Sequence, residues 1–304
     1  MKILVLGSEG FIGSHLYRKK NESKLDIWGI SRRDCNFLET QKLARIIKKH
    51  NPEWVINAAG EVAGILGNIE KPYDLLNHNT QLAISISSSC LEAGIENYIS
   101  FSAACVYPSQ SKNNISTLDL WSGKPETTSL SYATSKILAL QINESINLQF
   151  GLNWRTIIPS NLFGYKAGLG EINNASHVLE SLIAKVVVAK KNDYKSIEVW
   201  GDGSPMRTFL HVDDLASATL HVVLNGGNLA NVINVNGSQE ISIENLARLI
   251  AKFADFNGEL IFNKDIPNGA LRKNLDDSEI RESGWSTRID FYSELESLVA
   301  KAAQ

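Results

Sequence analysis

Ile3-Leu4-Val5-Leu6-Gly7-Ser8-Glu9-Gly10-Phe11-Ile12-Gly13, close to the start of the chain, decides the fold. Its first four residues form an apolar run of strand length, and Ile12 opens a stretch of helical period. The glycines fall in the turn between them, where a missing side chain lets the backbone N–H groups at a helix N-terminus approach an anion closely. Glycine clusters elsewhere mark ordinary turns; strand, glycine turn and helix in this order mark a dinucleotide site built on Gly7, Gly10, Phe11, Ile12 and Gly13.

Outward from this stretch, short apolar runs at residues 27–30, 54–59, 98–103 and 156–162 read as buried strands. They alternate with helix-period segments at 12–19, 40–50, 72–93 and 131–150. Such alternation predicts an α/β chain with a parallel sheet wrapped on both faces. After Gly164 the rhythm changes. A Gly- and Asn-rich loop at 168–174 leads to a helix at 176–190 and strands at 197–200 and 208–211. A helix at 215–224 and a strand at 232–236 return to the first domain, and amphipathic helices follow at 243–253 and 292–302. The expectation is a Rossmann-type doubly wound domain (1–162 and 212–238) with a smaller C-terminal substrate-binding lobe (163–211 and 239–304).

The 304 residues are 43% hydrophobic and 21% charged with a net charge of -3, so no basic excess points to nucleic acid. Cys35, Cys90 and Cys105 are odd in number and lack a Cys-x-x-Cys pair, which suggests no metal site and a reducing compartment. The apolar N-terminal stretch is too short for a signal-peptide core or a membrane span. A cytoplasmic protein without a membrane partner is expected.

The second strand runs into Ser31-Arg32-Arg33, where an NAD enzyme more often places a carboxylate on the ribose. Two guanidiniums suit a 2′-phosphate, favouring NADP(H). The alternative is a solvated surface pair, with Asp34 neutralising one arginine. Further on, Tyr132-Ala133-Thr134-Ser135-Lys136 sets a phenol and an ammonium four residues apart on one helical face. A neighbouring ammonium, with the cationic nicotinamide, can lower a tyrosine from its usual value of about 10 towards neutrality, making it a usable proton donor or acceptor beside hydride transfer.

These residues resemble the extended short-chain dehydrogenase/reductases over nearly the whole chain. Asn57-Ala58-Ala59-Gly60, Asn79, Cys105-Val106-Tyr107-Pro108, Pro159-Ser160-Asn161-Leu162-Phe163-Gly164 and Arg207-Thr208-Phe209-Leu210-His211-Val212-Asp213-Asp214 are similar to the branch acting on sugar nucleotides. Val199-Trp200-Gly201-Asp202-Gly203-Ser204-Pro205-Met206-Arg207, Ala175-Ser176-His177-Val178 and Arg272-Lys273-Asn274-Leu275-Asp276 resemble the GDP-L-fucose synthase family within it. That family couples 3,5-epimerisation of a GDP-4-keto-6-deoxy sugar to NADPH-dependent reduction at C4.

The resemblance implies that Tyr132 donates the proton in ketone reduction and that Lys136 holds the ribose and tunes Tyr132. It makes Cys105 and His177 the proton-transfer pair for epimerisation. A thiol near 8.5 and an imidazole near 6.5 suit the removal and return of a proton beside a ketone. It adds Ala58, Pro159, Asn161 and Leu162 to the cofactor site and places Lys185, Trp200, Arg207 and Asp276 around the nucleotide sugar, where cations answer the diphosphate. It also implies a homodimer through the helices at 72–93 and 131–150.

Taken without the resemblance, Cys105 also reads as a small buried hydrophobe, His177 as a helix-cap or core histidine, and Trp200 as a packing aromatic. Two departures stand out. Lys185 replaces the family's arginine, and Ala103 stands where the family has its catalytic serine or threonine. Loss of one positioned hydroxyl costs on the order of 100-fold in rate; Ser102 points to the opposite face of a strand, leaving Thr134 or a water as a substitute. The alternatives are an NDP-sugar 4-epimerase or simple 4-ketoreductase, and a non-catalytic NADP-binding protein supported by Ala103 alone.

Overall fold

In the computed structural model, residues 1–21, 24–109, 114–165, 178–266, 268 and 270–304 are described. The N-terminal half alternates β1 (Lys2–Leu6), α1 (Phe11–Arg18), β2 (Asp26–Ile30), α2 (Thr40–His50), β3 (Trp54–Asn57), α3 (Ile65–Glu70), α4 (Pro72–Glu92), β4 (Asn97–Phe101), α5 (Leu130–Phe150) and β5 (Asn153–Pro159). The chain then builds β6 (Asn161–Phe163), α6 (Val178–Lys191), β7 (Ser196–Trp200) and β8 (Met206–His211) before α7 (Val212–Asn225) and β9 (Val232–Val235). It ends with β10 (Gln239–Ser242), α8 (Ile243–Phe253), β11 (Glu259–Asn263), β12 (Arg272–Lys273), α9 (Ser278–Glu282) and α10 (Phe291–Ala302).

Six strands form one parallel sheet in the order β2-β1-β3-β4-β5-β9, with the strand order reversing between β1 and β3. The continuous apolar run in β1 follows from burial on both faces. Ile3 and Val5 join one core cluster with Ile56, Ile99, Ile157 and Leu215, while Leu4 and Leu6 join another with Val55, Ile86, Tyr98 and Trp154. Each of the four is fully buried, contributing about 2 kcal/mol.

The expected single strand at 156–162 is two strands. Ser160 donates its N–H to the Val235 carbonyl of β9 at 3.0 Å, and the chain then crosses to pair Asn161–Phe163 with Phe209–His211. That crossing starts a second sheet, β10-β8-β12 with β6 also on β8, beside a two-stranded β7–β11 ladder. A third cluster, including Leu182, Val186, Phe209, Leu246, Ile250 and Leu295, fills the space between these strands and α6, α8 and α10. Ile280 and Trp285, late in the chain, pack with the six-stranded sheet instead. Among the described residues no helix is long and apolar enough to cross a membrane.

Candidate active site

Functional side chains gather at the C-terminal edge of the parallel strands, beginning with the turn after β1. Gly7 has φ of +80°, and a Cβ added there would lie 2.9 Å from the Ala59 nitrogen. A Cβ on Gly13 would lie 2.0 Å from the Gly7 carbonyl oxygen, so α1 can pack this closely only with glycine. Gly10, extended at the α1 N-cap, carries no side chain to cap the helix, which leaves the first-turn N–H groups of Phe11, Ile12 and Gly13 to a ligand. Ala58 adjoins this turn, its N–H bonded to the Leu6 carbonyl.

Arg32 and Arg33 follow β2 and are both exposed. Asp34 forms no ion pair with either among the described residues; its carboxylate accepts the Ser31 N–H at 2.8 Å and the Ser31 hydroxyl at 3.0 Å, and these bonds, with a smaller contribution from the Arg33 charge, hold its pKa below the usual carboxylate range. Arg33 instead pairs at 3.2 Å with Glu9 of the glycine turn. Arg32 has no hydrogen-bond or ion-pair partner among the described residues. On the other side of the sheet, Pro159 ends β5 and Asn161 donates to the Thr208 carbonyl at 3.2 Å, with Leu162 packed against the main core.

Tyr132 and Lys136 lie on the first turns of α5. The Lys136 ammonium donates to the Phe101 carbonyl at 3.2 Å, and its Nζ lies 5.7 Å from the centre of the Tyr132 ring. A Cβ on Gly60 would stand 3.4 Å from that Nζ. Asn79 secures the segment beside it, accepting the Glu61 N–H at 2.9 Å and donating to the Glu61 carbonyl at 3.0 Å. Burial pushes the Tyr132 phenol well above its ordinary value, with Cys105 adding to the effect. Burial draws Lys136 down, opposed by Cys105. Among the protein's own groups desolvation dominates at Tyr132, and the phenol keeps its proton.

Cys105 sits on a short 3₁₀ turn after β4, partly exposed. Burial raises its thiol, while Lys273 and then Lys136 pull it down and Glu126 pushes it up. The structure thus brings Cys105, Tyr132 and Lys136 into one electrostatic group. His177 lies outside the described residues.

The residues expected around the sugar nucleotide form two groups. Lys185 donates to the Glu198 carbonyl at 2.9 Å and stands 4.7 Å above the Trp200 ring, joining α6 to β7. Burial draws its ammonium down, with Glu198 opposing. Arg207 lies directly opposite Lys273 in the parallel β8–β12 register and donates to the Met206 and Ala270 carbonyls at 2.8 and 2.7 Å. Asp276 accepts the Ser278 N–H at 3.0 Å ahead of α9, and its own N–H bonds the Ile115 carbonyl at 2.8 Å. No hydrogen bond or ion pair between described residues joins the Lys185–Trp200 group to the Arg207–Lys273 group.

A model of the NAD dependent epimerase/dehydratase family matches residues 3–236. The chain belongs to that family. Over 305 residues it is 30% identical to a GDP-L-colitose synthase of Yersinia pseudotuberculosis, covering 100% of this chain and 97% of that protein. It is 29% identical to a GDP-L-fucose synthase of Escherichia coli, covering 97% and 94%. Its fold is similar to that of a GDP-mannoheptose C4 reductase from Campylobacter jejuni with NADP bound, at a TM-score of 0.87 and 24% identity, covering 100% and 98%.

Against this family background, Ala103 and its neighbours gain meaning. Thr134 does not supply the missing hydroxyl: it is exposed and donates to the Leu130 carbonyl at 2.8 Å on its own helix. The Ser102 hydroxyl is buried and has no hydrogen-bond partner among the described residues. Lys273 and Glu126 escape sequence reasoning. Their ion pair spans 3.6 Å with side-chain exposures of only 12% and 20%, and Glu126 is also the acidic charge acting on Arg207. Lys273 lay within the Arg-Lys-Asn-Leu-Asp run, but nothing in spacing pairs it with a glutamate so far upstream.

Proposed function

We propose that the protein is an NADPH-dependent epimerase/reductase that converts a GDP-4-keto-6-deoxy sugar to a GDP-deoxysugar such as GDP-L-fucose. The carrying observation is the single electrostatic group of Cys105, Tyr132 and Lys136, which sets a carbon-acid base beside a ketone-reduction pair. Full-length similarity to two GDP-sugar synthases supports the substrate class.

The glycine turn fits a dinucleotide on its own geometry, since uncapped helix N–H groups face a space that any side chain on Gly7 or Gly13 would disturb. Gly7, Gly10, Phe11, Ile12 and Gly13 would hold the pyrophosphate, Arg32 and Arg33 the 2′-phosphate, and Ala58, Lys136, Pro159, Asn161 and Leu162 the remainder. When bound, NADPH supplies the hydride that reduces C4.

Before reduction, the Cys105 thiolate takes a proton from carbon next to the C4 ketone, giving a thiol and an enolate. His177, in this reading, returns a proton on the opposite face. Tyr132, held protonated by burial, gives its phenolic proton to the C4 oxygen, and Lys136 fixes the phenol and the ribose. Lys185, Trp200, Arg207 and Asp276 hold the nucleotide sugar, the cations meeting the diphosphate.

We assign 1–162 and 212–238 to the cofactor domain and 163–211 and 239–304 to the substrate lobe. We also assign the protein to the cytoplasm as a homodimer through α4 and α5, which pack together and expose Ile84, Leu148 and Phe150. A monomeric mass by light scattering at micromolar concentration would remove the dimer.

One observation favours a simpler 4-ketoreductase: burial raises the Cys105 thiol, away from the thiolate that epimerisation needs. The test is NADPH consumption with GDP-, dTDP-, UDP- and CDP-4-keto-6-deoxy sugars. Turnover with the GDP sugar, reduced by about 100- to 10,000-fold in Tyr132→Phe, is expected. Turnover with another base alone, or with none, contradicts the assignment.

A further inference from the structure

Arg207 and Lys273 occupy opposed positions on adjacent strands, so two cations share one face of the ladder. Like charges directly opposite each other destabilise a sheet unless an anion lies between them. Glu126 supplies it, 3.6 Å from Lys273 and acting on Arg207 as well. It reaches them from the segment just before α5, on which Tyr132 and Lys136 lie. Glu240, another acid near β12, is taken up at 2.6 Å by Arg272.

We propose that Glu126 is a positioning residue: it pairs with Lys273 beside Cys105 and limits how strongly that ammonium stabilises the thiolate. The inference rests on Cys105 being the proton-transfer group. A residue that must both take and return a proton works best when neither form is strongly favoured. Lys273 pulls Cys105 towards thiolate against its burial, and Glu126 quenches part of that pull. The charges acting on Cys105 are Lys273 on β12, Lys136 on α5 and Glu126 ahead of α5, and the backbone brings their segments to it: Pro108 bridges Pro125, next to Glu126, and Leu275, beyond β12, packs with Val106 and Tyr107.

Iodoacetamide alkylation of Cys105 in the full-length protein, followed against pH by peptide mass spectrometry, tests this without using turnover. Lys273→Met should move the alkylation midpoint up by about one pH unit. Glu126→Gln, which removes charge but retains a hydrogen-bond acceptor, should move it down by about half a unit. The double variant should lie between the two single variants, about half a unit above the unmodified value, and Lys273→Arg, which keeps the cation, should leave the midpoint in place and control for folding. Unchanged midpoints in both single variants, or an upward shift in Glu126→Gln, overturn the proposal. If the midpoints move as expected while no deuterium from solvent enters the substrate, the charge arrangement stands and the catalytic role of Cys105 falls.

Discussion

At the glycine turn, the groups offered to a ligand are backbone N–H groups from one contiguous stretch, Gly7 to Gly13, fixed by strand β1 and helix α1. Around Cys105 the groups are side chains brought from distant segments, carrying Glu126, Lys136 and Lys273, with Arg207 opposite Lys273. The first arrangement depends on the absence of side chains and tolerates almost no added atom. The second depends on charge balance, so removing one member shifts the others without displacing the backbone.

The largest effect should therefore come from a single added side chain at the backbone-built end. Gly13→Val places a Cβ where the Gly7 oxygen stands, and NADPH affinity measured by fluorescence titration should fall by at least about 100-fold. Retained affinity would show that this turn does not cradle the cofactor.

At the charge-built end, Arg207→Ala should raise KM for the GDP sugar by about 10- to 100-fold while leaving NADPH affinity unchanged. Its guanidinium also holds the Ala270 carbonyl, so Arg207→Lys serves as comparison. If KM recovers fully in the lysine variant, charge alone suffices; an equal loss of NADPH affinity would contradict the separation of the two ends.

A smaller effect distinguishes the two arginines after β2. Arg32→Ala should weaken NADPH binding by about 10-fold and Arg33→Ala by less, because Arg33 already pairs with Glu9 and its release offsets part of the gain. Equal NADPH and NADH affinities in the unmodified protein would remove both arginines from the 2′-phosphate.

This difference in construction also explains what the sequence made legible. The glycine turn, the strand alternation and the Tyr132–Lys136 spacing are local, so chain order alone exposes them. β9 joins the parallel sheet from residues beyond 230, yet its apolar pattern marks it as a core strand. The Glu126–Lys273 pair has no local signature, because the contact exists only once β12 pairs with β8 and the segment before α5 folds over it. The break between β5 and β6 was missed because both halves are apolar; only the pairing partners, β9 and β8, separate them. Ala103 was visible in sequence, whereas the loss of Thr134 as its substitute required the bond to Leu130.

The smallest effect concerns stability. Burial raises the Glu180 carboxyl from 4.5 to about 7, and its Oε2 has no hydrogen-bond partner among the described residues. Because the folded value is raised, the ionised form is the disfavoured one: Glu180 costs least below about pH 4.5 and most as pH rises through 7. Glu180→Gln should raise Tm by a few degrees, on the order of 2–4 °C, at pH 8.5 and leave it nearly unchanged at pH 5. A Tm that falls at pH 8.5 would mean the carboxylate has a partner in the folded protein.

The most direct test of the proton-transfer account is incubation with the GDP-4-keto-6-deoxy sugar and NADPH in D₂O, with deuterons counted at C3 and C5 by mass spectrometry. The unmodified enzyme should incorporate deuterium. Tyr132→Phe should keep incorporation while losing hydride transfer, and Cys105→Ser should suppress incorporation, since a hydroxyl is a far poorer base than a thiolate. Reduction of the sugar by the unmodified enzyme with no deuterium at either carbon would contradict the account and leave a simple 4-ketoreductase.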